Sequence, residues 1–167
     1  MNRKLNITKI IFFIYCIFLT WLIFFKMAFS FGDIQLFEGN RVINIVPFRY
    51  LTDVGSIHTK EVLMNIIVFI PMGIYLKMLT ILIRSIILVG FLSSMTFEVC
   101  QYIFALGASD ITDIITNTIG TILGVCIYIL FLKLFKNKPK LDKIINGIAL
   151  ILLLLIVALI ILLMIAN

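Results

Sequence analysis

The chain has 167 residues, 63% of them hydrophobic and only 13% charged, with a formal net charge of +6. Soluble domains are roughly a quarter charged, and a chain this short cannot build a core that would hide so much apolar sequence. A soluble fold is excluded, and so is a nucleic-acid binder: the basic residues are spread among the connections between apolar runs, where they set topology. An all-α membrane protein, crossing the bilayer several times, is expected.

Crossing the bilayer as helix takes about 20 mainly apolar residues. Five runs qualify, at about 8–26, 62–82, 85–106, 111–134 and 144–166, and together they make one membrane domain over 1–167. The first follows a basic start (Arg3, Lys4, Lys9) and precedes "AFS" at Ala28-Phe29-Ser30, a pattern that a signal peptide with a small-x-small cleavage site also shows. The length of the apolar stretch over 10–25 and Trp21 near its far end favour an uncleaved anchor; cleavage would leave four spans. Cys16, Cys100 and Cys126 all fall inside apolar runs, odd in number and without metal-ligand spacing, and are read as packing residues.

The connection over 27–61 is long and rich in Phe, Ile and Val, so it is expected to lie on or dip into the membrane interface. It carries Asn44, Arg49 and the only histidine, His58. Arg49, between Phe48 and Tyr50, suits an interfacial guanidinium meeting a phosphate or carboxylate, although snorkelling alone accounts for it equally well. His58 reads first as a solvated loop residue.

The second span contains "NIIVFIPMG", with Asn65, Phe69 and Gly73 on one helical face and Pro71 between them. A proline there frees the carbonyl one turn back, near Ile67, and kinks the helix, either for packing alone or to open a cavity. In the third span Ser94, Glu98 and Gln101 are spaced i, i+4, i+7. In the fourth, Asp113, Asn117, Gly120 and Gly124 are spaced i, i+4, i+7, i+11. Each set lies on one face, and small residues four apart admit a close neighbouring helix. The fifth run is nearly uniform Ile and Leu after Asn146 and reads as a lipid-facing anchor.

With the N-terminus cytoplasmic, ten of the fourteen basic residues fall inside, whereas Lys26, Arg41, Arg49 and Lys60 are matched by four acids outside. That orientation satisfies the positive-inside rule. It puts Glu98, Gln101, Asp110 and Asp113, joined by the short connection "LGAS", at the outer leaflet. Ser109 or Asp110 is a good helix cap and a first-turn carboxylate suits the helix dipole. Glu98 has no such excuse: a charge two turns inside a membrane helix costs several kcal/mol unless paired, protonated or hydrated. Gln101 either holds Glu98 or binds a neighbouring helix.

These motifs resemble the VanZ-like family of small bacterial membrane proteins. The resemblance rests on "NIVPF" (Asn44, Pro47, Phe48), "NIIVFIPMG" (Asn65, Phe69, Pro71, Gly73), "SSMTFEVCQ" (Ser94, Glu98, Gln101) and "DITDIITNTIG" (Asp110, Asp113, Asn117, Thr118, Gly120). It runs from about residue 10 to residue 130. Many relatives carry an Arg after the glycine that precedes the first Asp; here Ala108 follows Gly107, which leaves Arg49 as the substitute cation. The resemblance implies low-level resistance to teicoplanin or other lipid-tailed glycopeptides, and supplies no reaction. Three mechanisms fit the residues. The first is binding or altered access of an amphiphile, either a lipid-tailed antibiotic or a lipid-linked wall precursor, at the outer leaflet. The second is an intramembrane enzyme acting on a lipid-linked head group through Glu98, Asp110 and Asp113, with acid–base or oxygen-ligated divalent-cation chemistry. The third is a transporter, which a chain of this size would have to build as a homo-oligomer. The expected partners are the bilayer and one such amphiphile; no cofactor and no resident metal are expected.

Overall fold

The computed structural model describes residues 3–25, 42–48, 56–79, 82–105 and 109–166. Five helices account for nearly all of them: α1 (Arg3–Phe25), α2 (Ser56–Met78), α3 (Ile83–Phe104), α4 (Ile111–Phe135) and α5 (Lys138–Ala166). All five are long and apolar enough to cross a membrane, and a helix is the element that satisfies every backbone polar group within its own segment when no water is at hand.

The predicted spans 85–106 and 111–134 nearly coincide with α3 and α4, and 8–26 ends with α1 but starts five residues after it, the helix running back through the basic residues from Arg3. The other two also differ at their starts. α5 opens six residues before its apolar run because Asn137 caps it: its Oδ1 accepts from Lys140 N at 3.1 Å, and Pro139 stands in the first turn, where its missing N–H costs nothing. Hydropathy alone does not register a first turn that opens Lys138-Pro139-Lys140. α2 likewise begins at Ser56 rather than near 62, on a polar turn that includes His58.

Contacts fix the relative directions. Along α2 and α4 the pairs ascend together: a Cβ at Gly120 would strike the Ile66 carbonyl and one at Gly124 the Ile70 carbonyl. The two helices are therefore parallel and in backbone contact. Gly73 of α2 meets the Thr121 carbonyl from the other side of the same seam. α3 runs against α4, with Gly90 beside Thr121, whose Oγ1 would lie 2.6 Å from an added Cβ, Ser94 bonded to Asn117 and Glu98 bonded to Asp110. α1 runs against α2, since Tyr15 OH donates to the Val68 carbonyl at 2.7 Å while Phe12 packs on Tyr75 at 5.9 Å between ring centroids.

The core between α1, α2, α3 and α4 is built on Leu19, Phe69, Met72, Leu76, Ile86 and Val125. A second cluster, Ile11, Tyr75, Met78, Tyr128 and Leu141, brings the start of α5 against the others. Two two-residue strands, β1 (Ile43–Asn44) and β2 (Ser109–Asp110), pair in parallel across the ends of α3 and α4. The all-helical expectation contains no strand; a pair this short has no periodicity to detect.

Candidate functional site

The third and fourth spans place their polar faces against each other. The buried stripe of α3 is Ile86, Gly90, Ser94, Glu98 and Gln101, which is the expected Ser94–Glu98–Gln101 face continued two turns back. The facing stripe of α4 includes Thr112, Thr116, Asn117, Gly120, Thr121 and Gly124.

Asp110 is the hub at the end of this seam. It is the N-cap of α4, its Oδ1 accepting from Thr112 N at 2.7 Å. Its Oδ2 accepts from Asn44 Nδ2 at 2.9 Å, and its main-chain N–H donates to Glu98 Oε2 at 2.8 Å. One residue thus joins the end of α3, the start of α4 and the strand from the long connection. The strand is pinned further by Ser109 N on the Val42 carbonyl at 2.9 Å and by Phe48 N on Thr112 Oγ1 at 3.0 Å. Asn44 Oδ1 in turn accepts from Val46 N at 3.2 Å, closing its own turn.

Glu98 is only 3% exposed. Its carboxylate is bound by the Asp110 main-chain N–H and by the Ser109 side chain, so it holds Ser109 and Asp110 to the last turns of α3. A general base needs an oxygen turned toward substrate; the geometry here uses Glu98 to position backbone. Gln101 does not reach Glu98. Its Nε2 donates to the Ile23 carbonyl at 3.3 Å, tying α3 to the last turn of α1, which is the second of its two sequence readings.

Deeper along the seam, Ser94 Oγ donates to the Asp113 carbonyl at 3.4 Å and accepts from Asn117 Nδ2 at 2.8 Å. Asn117 is 4% exposed, and its Oδ1 has no partner among the described residues. The same holds for Asn65 Nδ2 on α2, next to the Ile66 carbonyl that meets Gly120. The structure therefore leaves two unused amide atoms, an acceptor and a donor, on residues that the Gly120–Ile66 and Gly124–Ile70 register sets within a turn of each other along the parallel α2–α4 pair. The Asp113 side chain is half-buried; its main chain accepts from Ser94 and Thr116. Among the described residues, no three of His, Cys, Asp and Glu converge as a metal-ligand set.

Arg49 lies outside the described residues, and of His58 only the backbone, in the first turn of α2, is described. Sequence reasoning passed over Thr112, Thr116, Thr121 and Gly90. Gly90 carried a signal, since it stands four residues before Ser94 on the same face. The threonines carried none, because Thr is common in membrane helices and its hydroxyl returns to the preceding turn, as Thr121 does to the Asn117 carbonyl at 3.1 Å.

Compared with known proteins, residues 12–132 match the family described as VanZ/LLP1. The chain is 37% identical to Protein VanZ of Enterococcus faecium, in an alignment covering 85% of this chain and 85% of that protein. No solved structure matches.

Proposed function

The chain belongs to the VanZ/LLP1 family, and from that premise we propose that it gives low-level resistance to teicoplanin or another lipid-tailed glycopeptide. It does so by holding an amphiphile, or altering its access, at the outer leaflet of the bacterial cytoplasmic membrane. The distribution of Lys and Arg supports that orientation, with the Glu98–Asp110 end of the bundle outside.

The observation that carries the binding role is the pair of unpartnered amide atoms, Asn117 Oδ1 and Asn65 Nδ2. A buried polar atom without a partner costs about 1–3 kcal/mol. A ligand group that both donates and accepts, such as an amide or a sugar hydroxyl, recovers that cost at this level of the bundle. The strand pinned by Asp110 carries exposed Ile43, Ile45 and Val46 at the end of the seam about two helical turns from Asn117, and we read it as an apolar rim suited to a lipid-tailed molecule.

The test is the inhibitory concentration of teicoplanin and vancomycin in a susceptible Gram-positive host expressing the wild type, Asn117→Ala, Asn65→Ala or Asp113→Asn at equal membrane levels. Selective teicoplanin protection by the wild type, lost in the two Asn variants, supports the reading. Full protection by both Asn variants removes the amide pair as the site, and no protection by the wild type removes the resistance role.

A further inference from the structure

On the face of α2 turned away from Gly73, helices α1, α2 and α5 surround a cavity of about 280 Å³. Leu19 and Leu22 from α1, Ile67 and Pro71 from α2, and Ala149 and Ile156 from α5 are among its wall residues, and the lining is almost wholly hydrocarbon. The cavity exists because α5 docks only near its start. Leu141 is buried there, Asn146 Nδ2 donates to Thr8 Oγ1 at 2.8 Å and Lys138 Nζ donates to the Met78 carbonyl at 2.9 Å. Beyond Ala149, side chains such as Ile151, Leu154, Leu155 and Leu159 are more than half exposed.

Along α1 the wall runs from Ile11 to Leu22, roughly 16 Å at the helical rise per residue. That is about half of a hydrocarbon core roughly 30 Å thick, the depth reached by one acyl chain of one leaflet. The wall has one unused polar group. Tyr75 is 3% exposed, lines the cavity, and its hydroxyl has no partner among the described residues. It stands one turn from the end of α2, at the pole of the bundle where Lys77 is in the last turn of α2, Lys9 in the second turn of α1, and Lys140 and Lys143 in the first two turns of α5. The acid at that pole, Asp142, is taken up by Tyr128 and Lys138.

We propose that this cavity is a lipid site, taking one acyl chain of an anionic phospholipid with its ester group at the Tyr75 hydroxyl and its headgroup among Lys9, Lys77, Lys140 and Lys143. Hydrocarbon in the cavity restores the contacts an empty one forfeits. The ester oxygen gives the buried phenol the acceptor it lacks, and basic residues at a membrane surface favour anionic headgroups. A helix from a second copy would fill the space equally well, but would use neither the phenol nor the cations. The site lies on the other side of α2 from Asn117 and does not depend on the resistance reading.

The test titrates the full-length protein in mild detergent with phosphatidylglycerol or phosphatidylcholine of identical chains, and counts bound lipid by native mass spectrometry. One retained phosphatidylglycerol is expected, with phosphatidylcholine held at least several-fold more weakly. Tyr75→Phe should weaken retention roughly five-fold, the size of one net hydrogen bond. Ala149→Trp, which fills the cavity, should abolish it, and Lys140→Gln with Lys143→Gln should remove the preference between headgroups. Equal retention of the two lipids by the wild type overturns the proposal. So does a Tyr75→Phe protein that retains phosphatidylglycerol as the wild type does, or a lipid-free dimer that excludes it. Should Ala149→Trp fail to fold, Tyr75→Phe decides alone.

Discussion

Asn44 and Asp110 are joined by a 2.9 Å hydrogen bond from the Asn44 amide to the Asp110 carboxylate, across 66 residues of sequence. The same carboxylate caps α4 through Thr112 N. Asp110→Ala therefore removes a cap, typically worth about 1 kcal/mol, together with a bond to a carboxylate of about 1.5–3 kcal/mol. Asn44→Ala leaves the cap and removes the second, together with the Val46 N–H bond to its own Oδ1. Both variants should release the strand, raising amide hydrogen exchange over residues 42–48. Only Asp110→Ala should also raise exchange in the first turn of α4. Equal exchange profiles for the two variants would contradict the separate roles given to the two carboxylate oxygens.

Glu98 receives the Asp110 N–H at a position only 3% exposed. Gln keeps a carbonyl acceptor in the same place, whereas Ala leaves the N–H without one. Glu98→Ala should cost about 1–3 kcal/mol more than Glu98→Gln, read from unfolding midpoints in detergent. Resistance should follow the same order if Glu98 acts by positioning Ser109 and Asp110. Loss of protection in Glu98→Gln at unchanged stability would instead point to the charge itself.

The glycines of α4 divide sharply from that of α5. A Cβ at Gly124 would collide with the Ile70 carbonyl, whereas one at Gly147 meets nothing within 4 Å. Gly124→Val must push α2 and α4 apart and should cost several kcal/mol, as overpacking in a tight core does. Gly147→Ala should stabilise by up to about 1 kcal/mol through helix propensity alone. Thermal unfolding of the two variants beside the wild type measures both signs.

Which of these features the sequence discloses depends on their range. The spans and the facing stripes of α3 and α4 are periodic over several turns, so Ser94, Glu98, Asn117, Gly120 and Gly124 announce their faces without any coordinates. The gathering of Asp110 with Glu98 follows from a short connection. The bond to Asn44 does not, because the 27–61 connection has no repeating pattern and its two-residue strand is fixed only by the partner. Gln101 shows the same limit: its spacing places it one turn from Glu98, yet the carbonyl it reaches belongs to Ile23 of α1. The parallel contact of α2 with α4 was also hidden, since Gly73 and Gly120 each admit a close neighbour without naming it.

The start of α5 is held by one carboxylate shared between two donors. Asp142 accepts from Tyr128 OH at 2.7 Å and from Lys138 Nζ at 2.7 Å. Lys138 also donates to the Met78 carbonyl at the end of α2, where a cation suits the helix dipole. The Lys138 side chain is 37% exposed, so its ion pair contributes at most about 1 kcal/mol; the phenol bond, beside a Tyr128 that is 1% exposed, should contribute more. Asp142→Ala is expected to destabilise by about 1–3 kcal/mol, since it strands the buried Tyr128 hydroxyl. Tyr128→Phe in that background should recover most of the loss, because the orphaned group is removed with its partner. A double-mutant cycle in detergent unfolding measures this coupling. A Tyr128→Phe, Asp142→Ala protein no more stable than Asp142→Ala would mean that Lys138, despite its exposure, is what holds α5 to the bundle.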